Sequence, residues 1–265
     1  MIKLIASDMD GTLLDSLKKL NPEFESVIKD LASKNIYFAC ISGRNYERLA
    51  KIFKEIDEDL IYISDNGNYA EYKGEVLIKN VLSKESIKEL SEELRAIRNC
   101  KVSYSTRKSM YTEDKVVYLT SKLINFKNKL INDINLIDDD IIKCSVVCLP
   151  SHQNSLFEKL KRKFPNLYIA KSGKYTIDIN SSSFNKGIAL EKIKEKLNIK
   201  YEETMVFGDY LNDYEMMDSA YYSYAMKNAH PKLKEKARFI APKNTENGVL
   251  EVIKKEVLLN KERVF

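Results

Sequence analysis

Two hydrophobic rhythms alternate along the first third of the chain. Short, nearly continuous apolar runs ("KLIAS", "IYFACI", "LIYIS") are separated by stretches in which apolar residues recur three or four apart, "NPEFESVIKDLASKN" and "NYERLAKIFKEI". The continuous runs predict strands buried on both faces, and the longer spacing predicts amphipathic helices that cover them. Asn21-Pro22 is expected to open the first helix, as N-cap and first helical residue. This alternation is the pattern of a parallel α/β sheet.

The rhythm then changes. "NYAEYKGEVLIKN" alternates about Lys73-Gly74 and predicts a hairpin. Ile87, Leu90, Leu94 and Ile97 recur at helical spacing in "SIKELSEELRAI". "KVSYS", "SMYTE", "IIKCSVVCL", "LYIAKSG" and "KYTIDIN" predict short strands, with a helix in "NSLFEKLKRKF". That mixture predicts an α+β module with one open sheet face. From "NKGIALEKIKEKLNI" the first rhythm resumes: "TMVFGD" a strand, "YLNDYEMMDSA" a helix, "YYSYAM" a strand, "ENGVLEVIKKEVL" a closing helix. The α/β domain is therefore expected to be split into residues 1–80 and 185–265, with a second domain inserted at 81–184.

Composition narrows the function classes. Hydrophobic residues make up 44% of the 265 and charged residues 31%, the balance of a soluble globular chain. No segment approaches the roughly 18 uninterrupted apolar residues of a membrane span, and no apolar stretch of signal-peptide length precedes the first acid, so a cytoplasmic protein without membrane partners is expected. The net charge of +5 is spread over helix faces, which falls short of a nucleic-acid footprint. Cys40, Cys100, Cys144 and Cys148 form no C-x-x-C pair. Cys144 and Cys148 share one side of a strand and read as small buried side chains rather than zinc ligands. With only His152 and His230 available, chemistry must rest on carboxylates, lysine and metal.

"SDMDGT" supplies the first such group. Residues two apart in an extended segment project to one side, so Asp8 and Asp10 stand together at the carboxyl end of the first strand, where open α/β sheets bind ligands. Gly11 permits the turn, in which Thr12 can bond backbone. "ISGR" places Ser42 and the Gly43 amide near a helix start suited to an anion, though Ser-Gly is also a common turn pair. Lys186 in "NKG" stands at a helix start, where the dipole disfavours it and a snorkelled surface lysine is the plainer reading. "GDYLND" adds Asp209, Asn212 and Asp213, and on its own reads as a cap with Asp209 or Asn212 as capping residue. Together these strand ends gather Asp8, Asp10, Asp209 and Asp213, a cluster that repels itself unless a hard cation such as Mg²⁺ sits in it. Ser42, Lys186 and backbone amides are the complementary donors for phosphate oxygens.

In this order, "DMDGTLLD", "ISGR", "NKG" and "GDYLND" resemble the motifs of the haloacid dehalogenase superfamily, and the chain is similar to its Cof-type (subfamily IIB) hydrolases. "SDNGNYAEYKGEVL", "AMKNAHPKLKEKA" and "NTENGVLEVI" agree as secondary signatures. The resemblance implies a Rossmann-like, doubly wound parallel-sheet core with an inserted α+β cap that sets specificity. It implies Mg²⁺-dependent hydrolysis of a small phosphorylated metabolite by a monomer or weak homo-oligomer. Asp8 would be the nucleophile and Asp10 the acid and base. Mg²⁺ would be held by Asp8, the Asp10 carbonyl and Asp209, with Asp213 in support. Phosphate oxygens would meet the Met9 amide, Ser42, Gly43, Lys186 and Asn212. A phosphomutase using the same aspartyl-phosphate, or a non-catalytic phosphometabolite binder, are the alternatives.

Overall fold

A computed structural model describes residues 1–53, 56, 59–123, 128–172 and 174–259. The elements run, in chain order, β1 (Leu4–Asp8), α1 (Phe24–Ser33), β2 (Tyr37–Ile41), α2 (Tyr46–Ala50), β3 (Leu60–Ser64), β4 (Tyr69–Tyr72) and β5 (Glu75–Lys79). There follow α3 (Lys84–Arg95), β6 (Lys101–Ser105), β7 (Met110–Thr112), α4 (Lys115–Leu123), β8 (Asn128–Leu130), β9 (Lys143–Val147), α5 (Pro150–Lys163), β10 (Tyr168–Lys171) and β11 (Thr176–Asn180). The chain closes with α6 (Lys186–Leu197), β12 (Thr204–Gly208), β13 (Tyr222–Met226), α7 (Pro231–Lys236), β14 (Phe239–Ala241) and α8 (Gly248–Ile253).

Two compact units result, Met1–Arg44 with Arg48–Ile78 and Asn185–Phe265, and Asn45–Glu47 with Lys79–Phe184. The first holds an eight-stranded sheet in the order β14-β13-β12-β1-β2-β3-β4-β5. From β14 through β3 every pairing is parallel, and β4 runs antiparallel to β3. The chain starts in the middle, winds outward through β2 and β3, and returns to the other side of β1 through β12. This is the doubly wound, Rossmann-like arrangement, with its topological switch point between β1 and β12. All five residues of β1, β3 and β12 are buried, as strands covered on both faces must be. Phe24 of α1 anchors one covering layer, edge-on to Phe38 at 5.3 Å between ring centroids.

The second unit carries a six-stranded sheet in the order β10-β11-β9-β6-β7-β8. One face is apolar: Tyr104, Cys144, Val146, Ile177 and Ile179 pack with Ile87, Leu90 and Leu94 of α3 and with Leu156 and Leu160 of α5. Cys148 joins this core with Cys144, as expected of small buried side chains, and all four cysteines are free. The opposite face presents a cross-strand row of Ser103, Ser145 and Asp178.

Several local expectations are corrected. α1 begins at Phe24, because the Asn21 side chain instead accepts the Glu23 amide at 2.7 Å and closes a turn across Pro22. α2 spans only five residues before a 3₁₀ turn, Lys51–Phe53, and the remainder of "NYERLAKIFKEI" lies largely outside the described residues. "YLNDYEMMDSA" forms two 3₁₀ turns, Leu211–Asp213 and Glu215–Ser219, where Gly187 of α6 presses so closely that a Cβ there would lie 2.8 Å from the Glu215 carbonyl. The closing helix ends in a wide π turn, Lys254–Leu258. The hairpin at Lys73-Gly74 stands as expected, with φ of 49° and 81°, the left-handed pair that a tight two-residue turn demands.

Candidate active site

Strand register places the motif residues. Asp8, the last residue of β1, pairs with Ile41 of β2, so Ser42 leaves the sheet one residue beyond it. On the other side Ser7 pairs with Phe207, and Gly208 and Asp209 follow directly. Gly11 turns the chain at φ +90°, and a side chain there would collide with the Asp209 carboxylate. Three ties hold that turn. Thr12 Oγ1 donates to Asp209 Oδ1 at 3.2 Å, Asn228 Nδ2 donates to the Gly11 carbonyl at 2.8 Å, and Asn244 Nδ2 donates to the Leu14 carbonyl at 2.9 Å.

At the centre lies Lys186, 1% exposed. Its Nζ contacts Asp8 Oδ1 and lies 2.6 Å from Asp213 Oδ1. The helix dipole does not expel this lysine, because two buried carboxylates outweigh it, and the surface reading of Lys186 gives way. Asn185 caps α6 by accepting the Ile188 amide at 2.9 Å, which fixes where the lysine departs. Asp213, not Asp209 or Asn212, is the capping residue of its turn: its Oδ2 accepts the amides of Asp209 at 3.0 Å and Tyr210 at 3.1 Å. Asn212 is exposed one residue earlier.

Asp8, Asp209 and Asp213 each offer a carboxylate oxygen within 4.8 Å of the others. Burial pushes Asp8 up to about 7, against the pull of Lys186 and with the repulsion of Asp213. Burial likewise raises Asp209 to about 6, with Asp213 adding to it. Lys186 is raised: burial favours its neutral form, but the charges of Asp213 and Asp8 outweigh burial. The site thus holds more negative charge than its one ammonium balances, the electrostatic condition for taking up a cation.

The carboxylate of Asp10 stands apart from this cluster. Arg44 grips it with Nε to Oδ2 at 2.9 Å and Nη2 to Oδ1 at 2.5 Å, and Lys18 lies 3.6 Å away. Burial raises its pKa, but the hydrogen bond and charge of Arg44 outweigh burial and hold the carboxyl below its usual range. Met9 is fully buried, and its carbonyl accepts the Leu14 amide at 2.9 Å. The Ser42 amide is bonded to the Ile63 carbonyl, while its buried hydroxyl accepts the Arg44 amide at 3.1 Å and keeps its own proton to donate. Gly43 is exposed beside it.

Sequence reasoning assigned no role to Arg44, Asn228 or Asn244. Each was within sight, Arg44 as the last letter of "ISGR" and the two asparagines inside "AMKNAHPKLKEKA" and "NTENGVLEVI".

Comparison with known proteins shows the family. The haloacid dehalogenase-like hydrolase family matches residues 5–253. The 5-amino-6-(5-phospho-D-ribitylamino)uracil phosphatase YbjI of Escherichia coli (strain K12) is 28% identical over 262 residues, 96% of each chain. The phosphatase YcsE of Bacillus subtilis (strain 168), named for the same ester, is 30% identical over 257 residues, 97% of this chain and 96% of that one. The crystal structure of a haloacid dehalogenase-like hydrolase from Bacteroides thetaiotaomicron superposes with a TM-score of 0.87 at 25% identity, covering 97% of this chain and 100% of that one. This chain belongs to the haloacid dehalogenase-like hydrolases, and it is a phosphoric monoester hydrolase.

Proposed function

We propose that the chain is a Mg²⁺-dependent phosphatase that hydrolyses small phosphorylated metabolites through an aspartyl-phosphate on Asp8. The observation that carries this reading is a buried carboxylate at the strand switch point with a buried ammonium on one of its oxygens and two more carboxylates beside it. That donor set fits Mg²⁺, since it offers hard carboxylate oxygens without imidazole or thiolate. Lys186 already takes one oxygen of Asp8, and both oxygens of Asp213 are bonded. Asp8 and Asp209 would therefore hold the ion, with the Asp10 carbonyl, and Asp213 would support them. When bound, Mg²⁺ supplies positive charge that offsets the repulsion between carboxylate and phosphate.

In the first step an oxygen of Asp8 attacks phosphorus. The O–P bond forms, the ester P–O bond breaks, and the alcohol departs with the proton of Asp10. In the second, water attacks phosphorus, Asp10 takes its proton, and the bond to Asp8 breaks to release inorganic phosphate. Covalent catalysis divides one hard displacement into two easier ones. Lys186, the Ser42 hydroxyl, the amides of Met9 and Gly43 and the Asn212 side chain are the proposed donors to the phosphate oxygens. Asp10 enters the first step protonated and the second ionised. Its pair with Arg44 favours the second state, so Asp10 has to part from Arg44 to act as acid.

Residues 81–184 are proposed to select the substrate. The ester named for the two curated relatives is the first to assay. The test is phosphate release from that ester, from sugar phosphates and from an aryl phosphate, with Mg²⁺, with chelator and with Asp8→Asn. Release that needs Mg²⁺ and vanishes in the variant is expected. Turnover surviving in Asp8→Asn would overturn the nucleophile, and isomerised product without free phosphate would favour a mutase.

A further inference from the structure

The segment after β3 is built in an unusual conformation that the mechanism above leaves unused. Asp65, Asn66 and Gly67 have φ of 49°, 56° and 104°, three consecutive residues in the left-handed region. Left-handed backbone at non-glycine residues is held only where surroundings over-determine it, and it clusters at functional sites. Here the surroundings are the two arms proposed to bind phosphate. The Asp65 amide donates to the Arg44 carbonyl at 2.8 Å, and the Asn66 amide donates to the Ser42 carbonyl at 2.9 Å. Gly67 lies against the Asn185 carbonyl at the start of α6, where a Cβ would come within 2.7 Å. The loop is a wedge seated on both Ser42–Arg44 and the turn that launches Lys186.

The wedge points the Asn66 side chain over Gly43. A Cβ on Gly43 would sit 3.0 Å from Asn66 Oδ1 and 3.3 Å from Nδ2. Among the described residues Oδ1 is buried without a hydrogen-bond partner, a state that folded proteins seldom keep without a reason. A phosphate oxygen does not meet that need, because both are acceptors. A hydroxyl does. Gly43 is also the exposed neighbour of the buried Ser42, so the carboxamide borders the arm proposed to bind phosphate.

We propose that Asn66 is a specificity residue whose carboxamide oxygen accepts a hydrogen bond from a hydroxyl of the ester's alcohol portion, so that the site prefers polyol phosphates to plain alkyl phosphates. This rests on the phosphatase reading and assigns part of its substrate class. Asn66→Gly tests it cleanly, because glycine adopts the left-handed backbone without penalty while the side chain disappears.

The experiment compares ribitol 5-phosphate with pentyl phosphate, esters of equal chain length with and without hydroxyls, on the Mg²⁺-loaded full chain. Loss of one hydrogen bond predicts a fall of about 3–10-fold in kcat/KM for ribitol 5-phosphate in Asn66→Gly. The value for pentyl phosphate should change by less than about twofold, a difference well within one neutral hydrogen bond. Asn66→Asp, which keeps an acceptor in place, should retain the preference ratio although its charge weakens both esters. Equal losses on both esters in Asn66→Gly would make the residue a support for the Ser42–Gly43 arm and overturn the specificity role. No loss on either would overturn any role. Should the wild type turn over no ester at all, the phosphatase reading fails by itself. Thermal shifts with the two phosphates then decide Asn66 separately, a ribitol preference lost in Asn66→Gly supporting it and an equal response refuting it.

Discussion

Replacing Asp213 by Asn changes one atom and is expected to destabilise the metal-free protein, although the same change at Asp209, four residues away, should not. Asp213 is fully buried and takes three hydrogen bonds, from Lys186 on one oxygen and from the amides of Asp209 and Tyr210 on the other. Asparagine keeps only one oxygen. If that oxygen serves the two amides, an NH₂ group faces the Lys186 ammonium across 2.6 Å, donor against donor. Removing a partner from a buried ion pair costs about 3–5 kcal/mol. Lys186 retains Asp8, and relief of repulsion among the carboxylates offsets part of the loss, which leaves a net of about 2–3 kcal/mol. At about 2–4 °C per kcal/mol for a chain of this size, Tm should fall by about 5–10 °C. Among the described residues the side chain of Asp209 takes one neutral donor, Thr12, and burial raises its pKa to about 6, so its carboxylate, although the main form at neutral pH, is held less favourably than in water. Asp209→Asn should leave the metal-free Tm unchanged or slightly higher while removing Mg²⁺-dependent activity. Thermal unfolding by circular dichroism in chelator, at pH 7.5, compares the two variants directly. Equal Tm values for Asp213→Asn and wild type would refute the capping and pairing roles assigned to Asp213.

Two further outcomes follow from the same charges. Asp8 and Asp209 are raised from 3.8 to about 7 and about 6, so the folded metal-free chain binds more protons than the unfolded chain between those values, and their contribution to stability falls as pH climbs from about 4 to 7. The Tm increase on adding Mg²⁺ should accordingly be small at pH 5 and large at pH 8, and an equal increase at both would show that these carboxylates do not take the ion. Arg44→Met removes the group that holds the Asp10 carboxyl low, so the ionisation limb of kcat governed by Asp10 should move to higher pH. A limb that stays in place would separate Asp10 from the acid–base role.

What the sequence made legible follows from which forces act locally. β1, β2, β3, β12 and β13 were readable because strands covered on both faces must be apolar throughout, and the Lys73-Gly74 hairpin because its turn demands left-handed residues. The helix α4 and the strand β8 leave no clear pattern in the sequence, since α4 exposes Val116 and Leu119 and carries no clean apolar stripe. The spacing over Leu211–Ser219 is compatible with a helix, yet the segment forms 3₁₀ turns. Side-chain bonds from Asp213 and the close approach of Gly187 decide otherwise.

The site divides along the same line. Motif spacing brought Asp8, Lys186, Asp209 and Asp213 to one place, but it could not say which acid does what. Asp209 and Asp213 have the same side chain in the same short segment. They differ only in what surrounds them, one carboxylate taking two amides and an ammonium, the other a single hydroxyl. A carboxylate held by three donors is fixed in place, whereas one with a single donor keeps more of its lone pairs open. The same test separates Asp8 from Asp10: buried acid against a lysine in one case, half-exposed acid clamped by Arg44 in the other. Lys186 and Asp8 are 178 residues apart, and Arg44 and Asp10 are 34 apart. Partners at such separations leave no periodic trace in the chain, so the differing surroundings of these acids become visible only when the strands are laid side by side.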